Sequence, residues 1–202
     1  MMAVKRSIPH NEGVYFITFT CYNWLPLIDI SNSYDSFYTW FDYLKQQGHY
    51  IIGYQIMPNH VHVVIAFRNV NKDINKIVGN GKRFIAYEVV ANLIKKGQSD
   101  LLRQLEQAVT SSDKIKGKLH EVWEDSFDWK ECHSRKMIIQ KLNYMHLNPC
   151  RGKWNLVENP IDYMHSSAKY YITGEQGRYA VTNYMELEDI DLTSGKKNDG
   201  MG

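Results

Sequence analysis

Two histidines separated by one residue, His60 and His62, stand at the start of the apolar segment HVHVVIAF. In a β-strand, residues i and i+2 point to the same face of the sheet, so both imidazoles can offer a nitrogen to one metal ion. The preceding Pro58 and Asn59 indicate a turn, which places the pair near a strand end that a substrate can reach. The spacing predicts half of a metal site, although two buried structural histidines would give the same pattern.

A tyrosine and a carboxamide, Tyr144 and Asn148, lie four residues apart near the end of a predicted helix over 135–148. The helix must end before Pro149, because a residue that precedes proline is disfavoured in the α region. At 100° per residue, Tyr144 and Asn148 share one side of this helix. Its apolar stripe lies elsewhere and consists of Ile138, Leu142 and Met145. The two polar groups can be interpreted in two ways: they act together in a site, or Tyr144 is a residue at the edge of the core with a solvated hydroxyl and Asn148 is an ordinary residue at the C-terminal end of the helix.

Hydrophobic patterning predicts the elements that would position these groups. Strands are expected at 14–22, 49–57 and 60–67, the last two forming an antiparallel hairpin. Helical spacing and capping signals predict a helix in 31–48, two helices in 72–110 around Gly97, and the helix over 135–148. With a returning strand expected in 118–125, the pattern favours an α+β fold in which an antiparallel sheet is covered by helices on one face.

Composition narrows the classes of protein. A chain of 202 residues that is 44% hydrophobic fits one domain, which we place at 1–185, followed by an acidic tail over 186–202 that we expect to be disordered. No apolar run approaches the length of about 20 residues that spans a bilayer. The three cysteines form no CxxC pair, which favours a reducing, cytoplasmic location over a disulfide framework.

Charge is unevenly distributed along the chain. The formal net charge is +2, yet residues 72–118 contain ten Lys or Arg against five Asp or Glu. Such a basic stretch can attract a phosphate backbone, although solvated helix faces explain it equally well.

Two segments together resemble a known family. MPNHVHVV, followed later by KLNYMHLNPCRGKW, resembles the HUH single-tyrosine transposases, and most closely the REP-associated tyrosine transposases (RAYT). Their hallmarks are a histidine pair in MPNHVH and a catalytic tyrosine in YxHxNP. The resemblance extends from about Val14 to Tyr171.

The resemblance implies a ferredoxin-like fold and a role for each residue. His60, His62 and the polar residue Asn148 would bind a divalent metal ion, Mg²⁺ or Mn²⁺, and Tyr144 would be the nucleophile. The enzyme would cleave and rejoin single-stranded DNA with hairpins or palindromes through a 5′-phosphotyrosine intermediate, with no membrane involved. Relatives act as monomers or as homodimers.

Two other hypotheses stay open at this point. The chain would be a domesticated protein that binds DNA hairpins without cutting them, or a metal-dependent hydrolase that activates water with the histidine pair. The presence of His60, His62 and Tyr144 together argues against lost chemistry. Formation of a covalent adduct on Tyr144 separates both alternatives from the transposase.

Overall fold

The protein forms a four-stranded sheet with helices on both sides. The structure is a computed structural model and describes residues 7–124, 127–152 and 154–193. The strands are β1 (Gly13–Thr20), β2 (Tyr50–Ile56), β3 (His60–Phe67) and β4 (Asp128–Glu131). The helices in these ranges are α1 (Leu27–Ser31), α2 (Tyr34–Gln46), α3 (Ile74–Lys95), α4 (Ser99–Gln107), α5 (Ser111–Ile115), α6 (Arg135–His146) and α7 (Ala168–Thr173).

The order of strands in the sheet is β2-β3-β1-β4, and every neighbouring pair is antiparallel. With the connecting helices α2 and α3, the strands form the β-α-β-β-α-β arrangement of ferredoxin-like folds. The predicted α+β class and the antiparallel hairpin of β2 and β3 are confirmed. Since β3 lies between β2 and β1, the histidine pair stands on an inner strand of the sheet.

The two faces of the sheet have different partners, because side chains alternate along each strand. Val61, Val63 and the following odd-numbered residues of β3 join a large apolar cluster with α1, α2 and α3. The even-numbered residues begin with His60 and His62 and continue with residues that pack against α6. As predicted, the connecting helices α1, α2 and α3 pack on one face of the sheet. Helix α6 packs on the opposite face, which these helices leave uncovered and where its apolar stripe is buried.

Helix α6 begins at a capped end and lies close against β2. The side chain of Ser134 accepts a hydrogen bond from the Met137 amide, which caps the first turn. Close packing requires Gly53 in β2, because a Cβ there would overlap the side chains of Leu142 and Met145. These contacts fix the height and rotation of the helix that carries Tyr144.

A buried polar link also joins α6 to β2. His146 Nε2 lies 2.8 Å from Ser167 Oγ, which accepts a hydrogen bond from the Tyr54 amide at 2.9 Å. All three side chains are buried. The last turn of α6 is therefore held to the sheet by a hydrogen-bonded path as well as by apolar contacts.

The predicted boundary at residue 185 does not separate the following residues from the domain. Leu187 and Leu192 pack against the cluster around α6, and the Asn69 amide donates to the Leu192 carbonyl at 2.7 Å. A capping box at Asn183 starts the short helical turn Tyr184–Asp189, which carries Leu187. Residues 194–202 of the predicted tail lie outside the described residues. Among the helices described, none has the length and apolarity to cross a membrane.

Candidate active site

The two histidines form a buried pair at the start of β3. Their ring centroids are 4.8 Å apart, and His60 and His62 are only 8% and 5% exposed. Burial lowers the pKa of His60 to about 4. Burial, together with the neighbouring charges of His60 and Lys141, lowers the pKa of His62 to about 3. Both imidazoles are therefore neutral at pH 7, which is the form that binds a metal ion.

Each imidazole is oriented through its Nδ1 atom. Asn59 Oδ1 lies 2.8 Å from His60 Nδ1, and Thr18 Oγ1 lies 2.7 Å from His62 Nδ1. The Asn59 amide nitrogen donates to the Trp24 carbonyl, so its oxygen faces His60 and must accept from Nδ1–H. The lone pair of His60 is thus on Nε2. No hydrogen bond within the described ranges engages Nε2 of either histidine.

Tyr144 projects from α6 toward this pair. Its ring lies edge-on to His62 with centroids 5.5 Å apart, and it contacts Phe16 of β1 in the same manner at 6.1 Å. Phe16 in turn stacks on His62 at 5.2 Å. The Tyr144 side chain is nevertheless 53% exposed, so one edge of the ring is packed while much of it remains accessible. The structure brings together three of the four residues predicted from the sequence.

The fourth predicted residue, Asn148, is the first residue of the short turn Asn148–Cys150 after α6. Its side chain is half-buried, and its carbonyl accepts a hydrogen bond from the Arg151 amide at 3.2 Å. No hydrogen bond in the described part of the chain joins the Asn148 side chain to either histidine. Its place is one helical turn beyond Tyr144, as the i, i+4 spacing predicts.

Three further residues complete the site and were not predicted from the sequence. Thr18 and Asn59 orient the imidazoles, and Lys141 places its ammonium group 4.9 Å from the centroid of the Phe16 ring and 5.9 Å from that of Tyr144. Both Asn59 and Lys141 could have been identified from the sequence, because Asn59 stands within the MPNHVH segment and Lys141 precedes Tyr144 by one helical turn. Thr18 could not have been identified in this way, because only the pairing of β1 with β3 places it opposite His62.

The donor set fits a divalent ion that keeps open positions. Two neutral imidazoles with oriented rings are typical metal ligands, and hydrogen bonds to their second nitrogens are the usual supporting contacts. Within the described ranges, no group of three or more His, Cys, Asp or Glu side chains could hold a metal ion. A metal ion on this pair would need oxygen ligands of another kind, such as an amide, water or a substrate phosphate.

One solved structure shares this fold. A REP-associated tyrosine transposase bound to a REP hairpin superposes with a TM-score of 0.57, covering 97% of this chain and 98% of that chain at 14% sequence identity. The two proteins share their fold over nearly their whole lengths. A candidate transposase from Deinococcus radiodurans R1 matches 71% of this chain and 95% of its own at 16% identity, with a TM-score of only 0.40. No protein-family profile and no curated protein sequence matches the chain.

Proposed function

We propose that this protein is a metal-dependent DNA transposase of the HUH single-tyrosine type, which cleaves and rejoins single-stranded DNA through Tyr144. The observation that carries the proposal is the contact between the rings of Tyr144 and His62, at 5.5 Å between centroids. This contact brings the proposed nucleophile on α6 to the histidine pair on β3, and the Tyr144 ring remains accessible to a substrate.

In the proposed reaction, Tyr144 Oη attacks the scissile phosphorus in line with the 3′ oxygen. The Oη–P bond forms, the P–O3′ bond breaks, the phenolic proton is released, and the departing oxygen gains a proton to become a 3′-hydroxyl. Phenolate is a better leaving group than an alkoxide, since tyrosine has a pKa of about 10. The covalent intermediate therefore retains the capacity to be rejoined to another 3′-hydroxyl.

The chain supplies the surroundings for this step. Thr18 and Asn59 orient the imidazoles, and Lys141 holds its ammonium group beside the Tyr144 ring, where the substrate phosphate would lie in this reaction. His60 and His62, with the amide oxygen of Asn148, would hold Mg²⁺ or Mn²⁺, which would neutralise charge that develops on the phosphate oxygens.

The proposed substrate is single-stranded DNA that carries a hairpin or palindrome. Support comes from the family resemblance and from the solved transposase of the same fold, which is bound to a REP hairpin. The basic stretch 72–118, which includes α3 and α4, would supply positive charge for contacts with phosphates further from the cleavage site, since α3 packs on the opposite face of the sheet from the histidine pair.

A covalent-adduct experiment tests the proposal. The protein is incubated with Mn²⁺ and hairpin-bearing oligonucleotides with randomised flanks, labelled on the 3′ side of the hairpin and, in a second set, on the 5′ side. We expect a denaturant-resistant adduct between the protein and labelled DNA, lost in Tyr144→Phe. Tyr43→Phe is the matched control, because Tyr43 is also an exposed tyrosine on a helix but contacts neither histidine in the described structure. Cleavage without an adduct would instead favour a water-activating hydrolase, and binding without cleavage a hairpin-binding protein.

A further inference from the structure

A tryptophan, Trp24, lies beside the histidine pair. It contacts His60, whereas Tyr144 contacts His62. Trp24, in the turn that follows β1, has its ring edge-on to His60 with centroids 5.8 Å apart. The side chain is 56% exposed. The exposed aromatic side chains of the described residues are Trp24, Tyr43, Phe84, Tyr87 and Tyr144. Of these, only Trp24 and Tyr144 contact the histidine pair.

The backbone of this turn holds the ring in an unusual conformation. Asn23 and Trp24 have φ angles of 49° and 56°, in the left-handed region that bulky side chains rarely adopt. Such a conformation persists only where surrounding contacts impose it. The Asn23 amide donates to Glu124 Oε1 at 2.8 Å, and the Trp24 amide donates to the Cys21 carbonyl at 2.9 Å. The turn is therefore fixed from both sides of the strained residues.

Asn59 connects the tryptophan turn to His60. Its side-chain nitrogen donates to the Trp24 carbonyl at 3.1 Å, while its oxygen accepts from His60 at 2.8 Å. The buried carboxamide of Asn59 thus orients the His60 ring and also anchors the backbone carbonyl of Trp24. The position of Trp24 relative to the proposed phosphate site is fixed by the fold.

We infer that Trp24 is the stacking platform for one unpaired nucleobase next to the scissile phosphate, an inference that rests on the proposed function. A phosphate held between His60 and Tyr144 leaves its adjoining nucleotides within reach of rings that line the site. An exposed indole offers a flat face to any base, and stacking on such a face is a common mode of binding single-stranded nucleic acid. The exposed apolar surface of Trp24 would be covered by that base.

An abasic-site scan tests this inference. Binding is measured by fluorescence anisotropy in the Tyr144→Phe background, with the oligonucleotide that the wild-type protein binds best from the hairpin pool. Single abasic sites are placed in turn at each nucleotide flanking the cleavage or binding position. We expect Trp24→Ala to weaken binding of the intact oligonucleotide by on the order of tenfold, as the loss of one base stack should. Trp24→Phe should retain most of the affinity, and Tyr43→Ala should leave it unchanged.

The decisive result is the dependence on one position. At a single abasic site, the Trp24→Ala protein and its parent should bind equally, because no base remains to stack. An equal loss on every oligonucleotide would show that the ring supports the fold instead, and an unchanged affinity would remove the subsite. Adduct formation by the wild-type protein, scored separately, tests the proposed function. If an adduct forms but Trp24→Ala does not change binding, only the proposed stacking site is wrong. If Trp24→Ala weakens binding in a base-dependent way but no adduct forms, only the proposed chemistry is wrong. If the protein neither binds the DNA nor forms an adduct, both proposals are wrong.

Discussion

Thr18 Oγ1 and His62 Nδ1 lie 2.7 Å apart across the pairing of β1 with β3. The two residues are direct cross-strand partners, so the register of the sheet sets this hydrogen bond. Asn59 makes the equivalent contact with His60 from the preceding turn. Both histidines therefore receive their orientation from residues that would not themselves touch a metal ion.

Replacing Thr18 with valine should weaken Mn²⁺ binding. The substitution keeps the shape of the side chain but removes the oxygen that orients His62, and loss of such a supporting contact typically reduces metal affinity by about 10–100-fold. Thr20→Val is the matched control, because Thr20 is the cross-strand partner of His60 but forms no side-chain hydrogen bond among the described residues. Isothermal titration calorimetry measures both affinities. Equal affinities in the two variants would show that Thr18 does not tune the site.

Mn²⁺ should raise the melting temperature of the wild-type protein, because a ligand that binds only the folded state stabilises it by mass action. The double variant His60→Ala, His62→Ala should show no such rise. Differential scanning fluorimetry with increasing Mn²⁺ and with a chelator measures the effect. A rise of the same size in the double variant would place the metal site elsewhere in the protein.

Asn148 should matter for cleavage more than for DNA binding. We expect Asn148→Ala to slow Mn²⁺-dependent adduct formation while leaving the affinity for a hairpin oligonucleotide intact. Asn148→Gln should retain part of the activity, since it keeps an amide oxygen. Single-turnover cleavage and anisotropy separate the two quantities. Wild-type rates in the alanine variant would assign the remaining metal positions to water and substrate.

Gly53→Ala should destabilise the protein and disturb Tyr144. The added Cβ would overlap Leu142 and Met145, two buried residues of α6. Overpacking of this kind costs about 1–3 kcal/mol of unfolding free energy. Gly79→Ala on α3 is the control, because no described atom lies within 4 Å of the new Cβ and alanine favours the helix by about 0.5–1 kcal/mol. Urea denaturation measures both, and equal stability in the two variants would mean that α6 tolerates a shift.

Stability should decrease in mild acid, in part through His49. Burial, followed by the charge of Lys72, lowers the pKa of His49 to about 4 from the ordinary value of 6.5. As pH falls from 6.5 to 4, the unfolded chain binds this proton and the folded protein does not. The free energy of unfolding therefore falls over that range, by up to about 1.4 kcal/mol per pH unit for one group, and levels off below pH 4.

His49→Leu should reduce this slope. In the folded protein His49 Nδ1 accepts a hydrogen bond from the Arg68 amide at 3.2 Å, and the ring packs on Phe67, so the neutral form is built into the structure. Chemical denaturation at several pH values between 4 and 7 compares the two slopes, whatever the change in absolute stability. Identical slopes would assign the acid sensitivity to other groups.

Local patterns in the sequence were sufficient to predict the elements that carry the site. Strand β3 spans His60–Phe67 as predicted, and α6 begins at Arg135 as predicted but ends at His146, two residues before the predicted end, because hydrophobic periodicity and the proline stop signal act over a few residues. The segment 118–125 was expected to be a strand, but Trp123 forms only an isolated bridge with Cys21. The returning strand lies further on, at Asp128–Glu131, where the register with β1 continues.

Other features depend on contacts between distant parts of the chain. The sequence does not indicate which face of the sheet receives α6, because that choice follows from how the connecting helices fill the first face. The role of Trp24 could not be predicted either, since its left-handed turn is held by contacts from distant residues, Asn59 to the Trp24 carbonyl and Glu124 to the Asn23 amide. The ring of Tyr144 meets His62 only once both elements are in place.

The inner position of β3 has a consequence for hydrogen exchange. β3 is paired with β1 over all eight of its residues and with β2 over residues 61–66, and all eight residues are buried. Local fraying cannot release such a strand, so its amides should exchange with solvent only when the whole domain opens. The conformational entropy of ordering His60 and His62 is therefore lost during folding, and binding of the proposed metal ion would not have to order them again. Amide protection at these two residues should be the same with and without Mn²⁺ apart from the global gain in stability.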